Sequence, residues 1–365
     1  MAINSGYPER MLFALLRAAL HQHEVEVDCF REATENNWRE CFSLAVRQGV
    51  AALAWSGIER LPADCAPPLN VKLSWALKEN EQKEIYRKHC QAATEITKFL
   101  AEHGIATVVL KGIGLSRIYP VPEHREGGDI DIYTYSADRS RMTDEQANQL
   151  ADKLLYERGA VTGDSPSKKH SKCRFNGVTI ENHRMFLHVA ECETIAKAEQ
   201  WLKEHISTER VQLLDGGCCI EVPSTDFDSV FIPMHAAQHH GNGLSLKHLC
   251  DWILLLKHNG MKLPAEPEDK YFRKSVNVLT QLCNHYLGLE IPVAEDNRLA
   301  EEMMQEIMHP PYFKRIPEEN SIRIRYIRLM NRIHIFRLKH RLLGVSFWGK
   351  FRGLLVRKIT KRGRA

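Results

Sequence analysis

The last part of the chain lacks acidic side chains altogether. From Ser321 to Ala365 there are 14 Lys or Arg residues and no Asp or Glu, which leaves 36 basic against 46 acidic side chains in residues 1–320. The net charge of +4 therefore hides an acidic body and a basic tail. Apolar side chains such as Phe347 and Trp348 are interspersed with these cations. Such a tail is suited to an anionic membrane surface, to a nucleic-acid backbone or to docking on the acidic body; the lack of an RNA-reading motif makes nucleic acid the less favoured partner.

The chain also lacks paired cysteines and long apolar runs. Its 10 cysteines include no CxxC pair, which argues against a zinc ribbon or a disulfide framework and predicts free thiols in a reducing compartment. The run from Leu12 to Leu20 is too short and too interrupted to span a bilayer, and Met1 to Arg10 lacks the layout of a signal peptide. We expect a cytoplasmic protein, with peripheral contact to the inner membrane surface as an alternative.

The pattern along the 365 residues divides the chain into four regions. We predict an N-terminal helical region over 1–103, a mixed α/β core over 104–230, a C-terminal helical domain over 231–310 and a basic amphipathic tail over 311–365. The first region includes a long helix from Leu69 to His103, followed by Gly104 as a C-cap. Its candidate core positions are Leu73, Leu77, Ile85, Ile96, Phe99 and Leu100.

The most informative stretch lies at the start of the predicted core. Val108 to Leu110 reads as a buried strand that runs into Lys111-Gly112 and a short helix, and a second strand then begins at Asp129. Asp129 and Asp131 point to the same face of this strand, since side chains alternate. Adjacent carboxylates raise each other's proton affinity unless a cation lies between them. A divalent metal, Mg²⁺ or Mn²⁺, is the natural resolution, and it suits phosphoryl-type chemistry on a nucleotide.

Two turn signals predict hairpins further along the core. Asn176-Gly177 separates two strand-like segments, and so does Asp215-Gly216-Gly217. Each hairpin carries a carboxylate on its second strand-like segment, Glu181 in the first and Glu221 in the second. In Val178 to His183 the apolar residues alternate with polar ones, so Glu181 is expected on the polar face.

These motifs together resemble a family of uncharacterised bacterial nucleotidyltransferases within the DNA polymerase β-like nucleotidyltransferase superfamily. The resemblance rests on Leu110-Lys111-Gly112, Tyr119-Pro120, Arg125 and Gly128-Asp129-Ile130-Asp131, and covers roughly residues 104–256. The superfamily carries a Gly-Ser or Gly-Gly turn and then Asp-x-Asp; Lys111-Gly112 and a longer gap to the aspartates depart from that pattern. The implied fold class is α+β, with a polymerase-β-like core flanked by helical regions.

The resemblance implies a set of site residues. Asp129, Asp131 and Glu181 would be the catalytic carboxylates that bind two Mg²⁺ or Mn²⁺ ions, with Glu221 as the rival for the third position. Phosphate-binding candidates are Lys111, Gly112, Gly128 and Arg125. Of these, Gly112 would bring backbone N–H groups to the phosphates, Lys111 would add a point charge, and Arg125 either reaches phosphate or braces the acidic strand.

A histidine-rich helix follows the core. His235 and His239 share a helix face, and Lys247 and Asp251 come shortly after them. All four also resemble the family and would line the nucleotide or acceptor cleft; the alternative is buried histidines beside a plain i,i+4 ion pair. The sequence offers no third ligand and no Glu of an H-E-x-x-H motif, so zinc hydrolysis is not expected.

The predicted activity is transfer of a nucleoside monophosphate from an NTP such as ATP to an unidentified acceptor, with release of pyrophosphate. Two alternatives remain. One is a non-catalytic nucleotide-binding or scaffold protein that keeps the fold, and the other is an RNA-acting nucleotidyltransferase that uses the basic tail.

Overall fold

A computed structural model describes residues 6–158, 161–163, 169–190, 192–214, 217–241, 243–309 and 322–346. The chain begins with four helices: α1 (Tyr7–His21), α2 (Glu35–Gln48), α3 (Ala51–Ile58) and α4 (Leu69–Ala101). A mixed region follows, with β1 (Ile105–Val109), a 3₁₀ helix (Gly112–Ile118), β2 (Asp129–Ser136), α5 (Asp144–Glu157), β3 (Val161–Gly163), β4 (His170–Phe175), β5 (Val178–His183), α6 (Glu193–Glu204), β6 (Thr208–Leu214) and β7 (Cys218–Pro223). The remaining described helices are α7 (Thr225–His239), α8 (Leu246–His258), α9 (Lys270–Leu287), α10 (Asn297–Met308) and α11 (Ile322–Leu343).

The strands form one seven-stranded mixed sheet in the order β3-β4-β5-β2-β1-β7-β6. The pairings of β2 with β5 and of β1 with β7 are parallel, whereas the others are antiparallel. With helices before and after this sheet, the fold is α+β, as predicted. The parallel pair at its centre has a direct consequence for the site, because it aligns the polar face of β5 with that of β2.

Both predicted hairpins are present. β4 and β5 are joined by Asn176 and Gly177, which have φ values of 47° and 80°. A turn with positive φ at both central residues favours this Asn-Gly pair. β6 pairs with β7 as predicted; residues 215–216 of its turn lie outside the described residues.

The described residues form two hydrophobic cores. The larger includes buried residues of α1 and α3 from the first part of the chain together with buried residues of α7, α8 and α9. The smaller lies between the sheet and the helices α4 and α5, around Ile96, Leu100, Ile130 and Ile180. All ten cysteines are free in the structure.

The long helix α4 is present, but two of its predicted core positions are wrong. Leu73 and Leu77 are 54% and 71% exposed, whereas Ile96 and Leu100 are buried. The buried face of the first half of α4 runs through Trp75 and Glu79, and a shift of two residues turns a side chain by roughly 200° around a helix. Glu79 tolerates burial because Lys83 and His124 pair with it.

The described part of the basic tail is α11, which packs against α7 and α9. Tyr326, Leu329 and Met330 are exposed on it. The tail's second group of apolar and basic residues, from Phe347 to Ala365, lies outside the described residues. Among the described helices, none is both long and apolar enough to cross a membrane.

Candidate active site

Three carboxylates meet where β2 and β5 pair. In this parallel pairing Asp131 lies opposite Glu181, and Asp129 opposite Thr179. Carboxylate oxygens of Asp129, Asp131 and Glu181 lie within 4.8 Å of one another. The structure therefore brings together the three residues that the sequence put forward as metal ligands. Hard oxygen donors at this spacing fit Mg²⁺ or Mn²⁺ better than softer metals.

The rival carboxylate, Glu221, lies elsewhere. It is aligned with Val108 of β1, which in turn pairs with Tyr133 of β2. Two strand spacings separate Glu221 from β2, although it lies on the same face of the sheet. The Glu221 carboxylate acts on Tyr135 instead: burial is the larger cause of the raised pKa of Tyr135, and the charge of Glu221 is the next. Glu181, not Glu221, therefore accompanies the aspartates.

The two aspartates have opposite proton affinities. Burial and the charge of Asp131 raise the pKa of Asp129. Burial would also raise the pKa of Asp131, but the Lys111 ammonium and a hydrogen bond with His183 outweigh it and hold that pKa well below its usual value. Lys111 Nζ lies 3.0 Å from Asp131 Oδ1, and His183 Nε2 lies 2.8 Å from the same oxygen. Both contacts are made to Oδ1 rather than to Oδ2.

Lys111 and Gly112 form the turn between β1 and the 3₁₀ helix, beside the aspartates. Gly112 has a φ of 50°, and a Cβ there would lie 3.6 Å from the carbonyl oxygen of Asp129. The turn thus runs directly alongside the start of β2. The predicted short helix is present as seven residues of 3₁₀ helix, Gly112–Ile118.

Arg125 is committed to a buried network. Its Nε and Nη2 donate to the two carboxylate oxygens of Asp251, at 3.1 and 2.7 Å, and Nη1 donates to the carbonyl oxygen of Glu126. Tyr119 donates its hydroxyl proton to the same carboxylate at 2.7 Å. These contacts tie the segment just before β2 to α8, and Arg125 also lines the cavity described below, so its bracing and phosphate-binding roles both stay predictions. The alternative i,i+4 pair of Lys247 with Asp251 is replaced by this bidentate pair.

A cavity of about 400 Å³ joins these elements. Its lining includes Lys111, Gly112, Arg125, Asp129, Asp131, His235, His239, Lys247, His248 and Asp251. Gly128 is exposed, with no neighbour within 4 Å of the position of a Cβ. The four residues that were predicted to line the cleft therefore line the same cavity as the two aspartates; they are His235, His239, Lys247 and Asp251. The ammonium of Lys247 makes no ion pair with the described residues, and its pKa is lowered first by burial and then by Arg125.

Three residues near this site were missed by the sequence interpretation or underweighted in it. His183 contacts Asp131 directly, and His170 Nε2 lies 3.6 Å from Glu181 Oε2. His248, at the start of α8, lies with His235 and His239, one ring nitrogen of each falling within 4.8 Å of the others. The expectation that no third imidazole joins His235 and His239 is therefore wrong. The signal was present as a third histidine in the first turn of the next helix.

The family model described as "Uncharacterised nucleotidyltransferase" matches residues 34–288. The chain belongs to this nucleotidyltransferase family. Membership supports an enzyme of the nucleotidyl-transfer type in general. A search of curated proteins gives no match.

The chain is also similar to a solved structure, an antigenic nucleotidyltransferase-like protein from Paracoccidioides brasiliensis. The identity is 13%, the match covers 58% of this chain and 94% of the other, and the TM-score is 0.36. A likeness at this level bears on neither the mechanism nor the details of the fold.

The match to the nucleotidyltransferase family extends beyond the region in which the motifs lie. It begins just before α2 and ends just after α9, and so includes the sheet, the carboxylates and the histidine-bearing helices. The whole cavity described above is formed by the nucleotidyltransferase region. α10 and α11 fall outside it.

Proposed function

We propose that this protein transfers a nucleoside monophosphate from an NTP to an acceptor, in a polymerase-β-like core that uses Asp129, Asp131 and Glu181 as ligands of two Mg²⁺ or Mn²⁺ ions. The observation that carries the proposal is the convergence of three carboxylates from two parallel strands within 4.8 Å, beside a cavity. Family membership supports nucleotidyl transfer; the metals, the donor and the acceptor are our additions.

In the proposed reaction an acceptor oxygen or nitrogen attacks the α-phosphorus of the NTP. A new bond to the α-phosphorus forms, and the bond from that phosphorus to the oxygen that bridges it to the β-phosphate breaks. Pyrophosphate leaves with that electron pair, and the proton of the attacking group passes to solvent water. The two ions would activate the attacking group and neutralise the triphosphate and the leaving pyrophosphate. In-line displacement of this kind needs positioning and charge neutralisation more than a strong base.

The residues around the carboxylates have roles that follow from their contacts. His183 orients Asp131 through the 2.8 Å contact with Oδ1. Lys111 balances the charge of Asp131 when no metal is bound, and its ammonium is within reach of a triphosphate when one is. Gly112 lets the backbone pass close to the phosphates. Arg125 holds the segment before β2 against α8 through its contact with Asp251, which makes it a positioning residue.

The test is calorimetric titration of non-hydrolysable ATP, GTP, CTP and UTP analogues into the full-length protein with Mg²⁺. We expect one nucleotide to bind only with metal, and we expect Asp129→Asn/Asp131→Asn to lose this binding. Glu221→Gln is the matched control, because it removes a carboxylate from the same face of the sheet but outside the cluster. Failure of every nucleotide to bind with Mg²⁺ or Mn²⁺ would favour the scaffold alternative over the active enzyme.

The basic tail is not required by this chemistry. We keep for it the proposal of contact with an anionic membrane surface, which the exposed Tyr326, Leu329 and Met330 on basic helix α11 support. An RNA acceptor would instead make activity depend steeply on salt.

A further inference from the structure

A cluster of three imidazoles lies in the wall of the cavity formed by α7 and α8. His235 and His239 are one helical turn apart on α7, and His248 comes from the first turn of α8. The ring centroids of His235 and His239 are 4.5 Å apart, those of His239 and His248 5.1 Å, and those of His235 and His248 6.0 Å. Each ring offers a nitrogen within 4.8 Å of the other two.

The ring nitrogens of His235 and His239 have lone pairs that no described protein group uses. Neither ring makes a hydrogen bond to the described protein residues, and both rings line the cavity. Burial and the nearby Lys111 lower the pKa of both, that of His239 to about 4. Burial also holds the pKa of His248 well below its usual value. The three imidazoles are therefore neutral near pH 7, which is the state in which histidine binds metal ions.

His248 is held in place by the residue that caps α8. The backbone N–H of Ser245 donates to its Nδ1 at 3.2 Å, and Ser245 Oγ lies 3.1 Å from the same nitrogen. These contacts fix the ring beside His235 and His239. A metal bound at Nε2 would require the tautomer that carries its proton on Nδ1, in which Nδ1 donates to Ser245 Oγ instead.

From this geometry we propose that His235, His239 and His248 form a transition-metal site of the zinc class, separate from the carboxylate cluster. Imidazole nitrogens suit Zn²⁺ and related ions, whereas the carboxylates suit Mg²⁺ or Mn²⁺. Three protein ligands leave a fourth position open, as in catalytic rather than structural zinc sites. Since the rings line the cavity, that position is accessible to a water or to an oxygen of a bound substrate.

The cations of the cavity do not rule out a dication beside the histidines. Arg125 is paired with Asp251, and Lys111 with Asp131. The carboxylate of Asp129 adds a negative charge at the same cavity and acts on Lys247. The site would hold its metal whether or not the carboxylates support nucleotidyl transfer, so the proposal does not depend on the proposed function.

The test is titration of Co²⁺ into full-length protein that carries no histidine tag and has been stripped of metal with a chelator. We expect one Co²⁺ per chain with a visible absorption band typical of low coordination number, without the near-ultraviolet band of a thiolate ligand. One equivalent of Zn²⁺ should abolish the band. His239→Ala and His248→Ala should each remove the band or weaken binding by at least 10-fold.

Two controls separate this site from the other metal site and from general histidine binding. His258→Ala removes an exposed histidine from the last position of α8 and should leave the Co²⁺ band unchanged. Asp129→Asn/Asp131→Asn should lose Mg²⁺-dependent nucleotide binding but keep the band. Absence of a band in the wild-type protein, or its persistence in both His239→Ala and His248→Ala, would overturn the proposal.

A second measurement, the thermal unfolding midpoint, tests the site when the alanine variants are too unstable for the Co²⁺ titration. Zn²⁺ should raise the thermal unfolding midpoint of the wild-type protein and of His258→Ala, because it binds the folded state. The rise should be absent in the conservative variant His239→Gln. An equal rise in His239→Gln and in the wild-type protein would also contradict the site.

Discussion

Asp131 of β2 and Glu181 of β5 lie directly opposite each other in the parallel pairing at the centre of the sheet. Directly opposed like charges destabilise a sheet. Around this pair the chain supplies positive or proton-donating groups: Lys111 and His183 contact Asp131, while Lys172 Nζ lies 3.2 Å from Glu181 Oε1. These groups offset the repulsion between the two carboxylates, and a divalent ion bound between the carboxylates would offset it further.

The first prediction compares the two candidate third carboxylates. Glu181→Gln should weaken Mn²⁺ binding by about 10-fold or more, because one charged ligand of the cluster is lost. Glu221→Gln should change it by less than about twofold, because Glu221 lies beyond β1. Electron paramagnetic resonance of free Mn²⁺ measures both. Equal losses in the two variants would contradict the assignment of Glu181.

The second prediction concerns the histidine behind Asp131. His183→Ala removes the 2.8 Å contact that orients Asp131 Oδ1, and outer partners of this kind are worth roughly 10–100-fold in metal affinity. We expect Mn²⁺ binding to weaken within that range while thermal unfolding still shows a folded protein. The control is His205→Ala, which removes an exposed histidine. Unchanged Mn²⁺ affinity in His183→Ala would remove His183 from the site.

The carboxylate cluster shows which parts of a site can be read from sequence. Asp129 and Asp131 share a strand face because of local alternation, so no knowledge of the fold is needed. The family resemblance pointed to Glu181 as a carboxylate on a later strand, whereas the pairing of β2 with β5 that places it opposite Asp131 is seen only in the structure. His183 and His248 depend on contacts between elements distant in sequence, and no local period predicts these. The metal-binding roles themselves stay predictions.

Helix α4 shows the opposite case, in which a local pattern misled. Leu73 and Leu77 were predicted in the core because they are apolar and one turn apart. The helix instead buries Glu79 and Gln82, whose polar groups find partners in Lys83, His124 and the carbonyl oxygen of Arg125. Satisfied polar groups can occupy a buried face, and apolarity alone cannot identify that face.

The third prediction separates the two roles of Lys111. Lys111→Met removes the ammonium that lies 3.0 Å from Asp131 Oδ1. If this ammonium contacts the triphosphate, nucleotide affinity should fall by about 10-fold, the value of one charge-assisted hydrogen bond. Calorimetric titration with the preferred nucleotide and Mg²⁺ measures it. Unchanged nucleotide affinity combined with tighter Mn²⁺ binding would mean that Lys111 acts only as the counter-ion of Asp131.

The fourth prediction concerns stability. Asp251→Ala leaves the buried guanidinium of Arg125 without its bidentate partner and should cost about 3–5 kcal/mol of unfolding free energy. The double variant Arg125→Met/Asp251→Leu removes both charges and should recover most of that loss. Urea unfolding monitored by circular dichroism tests the pair. A double variant as unstable as Asp251→Ala would show that the pair contributes more than mutual charge compensation.

The fifth prediction is a pH dependence that originates in α4. His89 is buried, and burial lowers its pKa below the ordinary value of 6.5. Below pH 6.5 the unfolded chain therefore binds a proton on His89 that the folded chain holds off, so stability falls as the pH drops from 6.5 towards the folded-state pKa. His89→Gln should reduce this loss, by at most about 1.4 kcal/mol per pH unit for one proton. Urea unfolding at pH 7.5, 6.5 and 5.5 measures the effect. His258→Gln, at an exposed position, should keep the wild-type dependence, and the same dependence in His89→Gln would mean that other groups take up the proton.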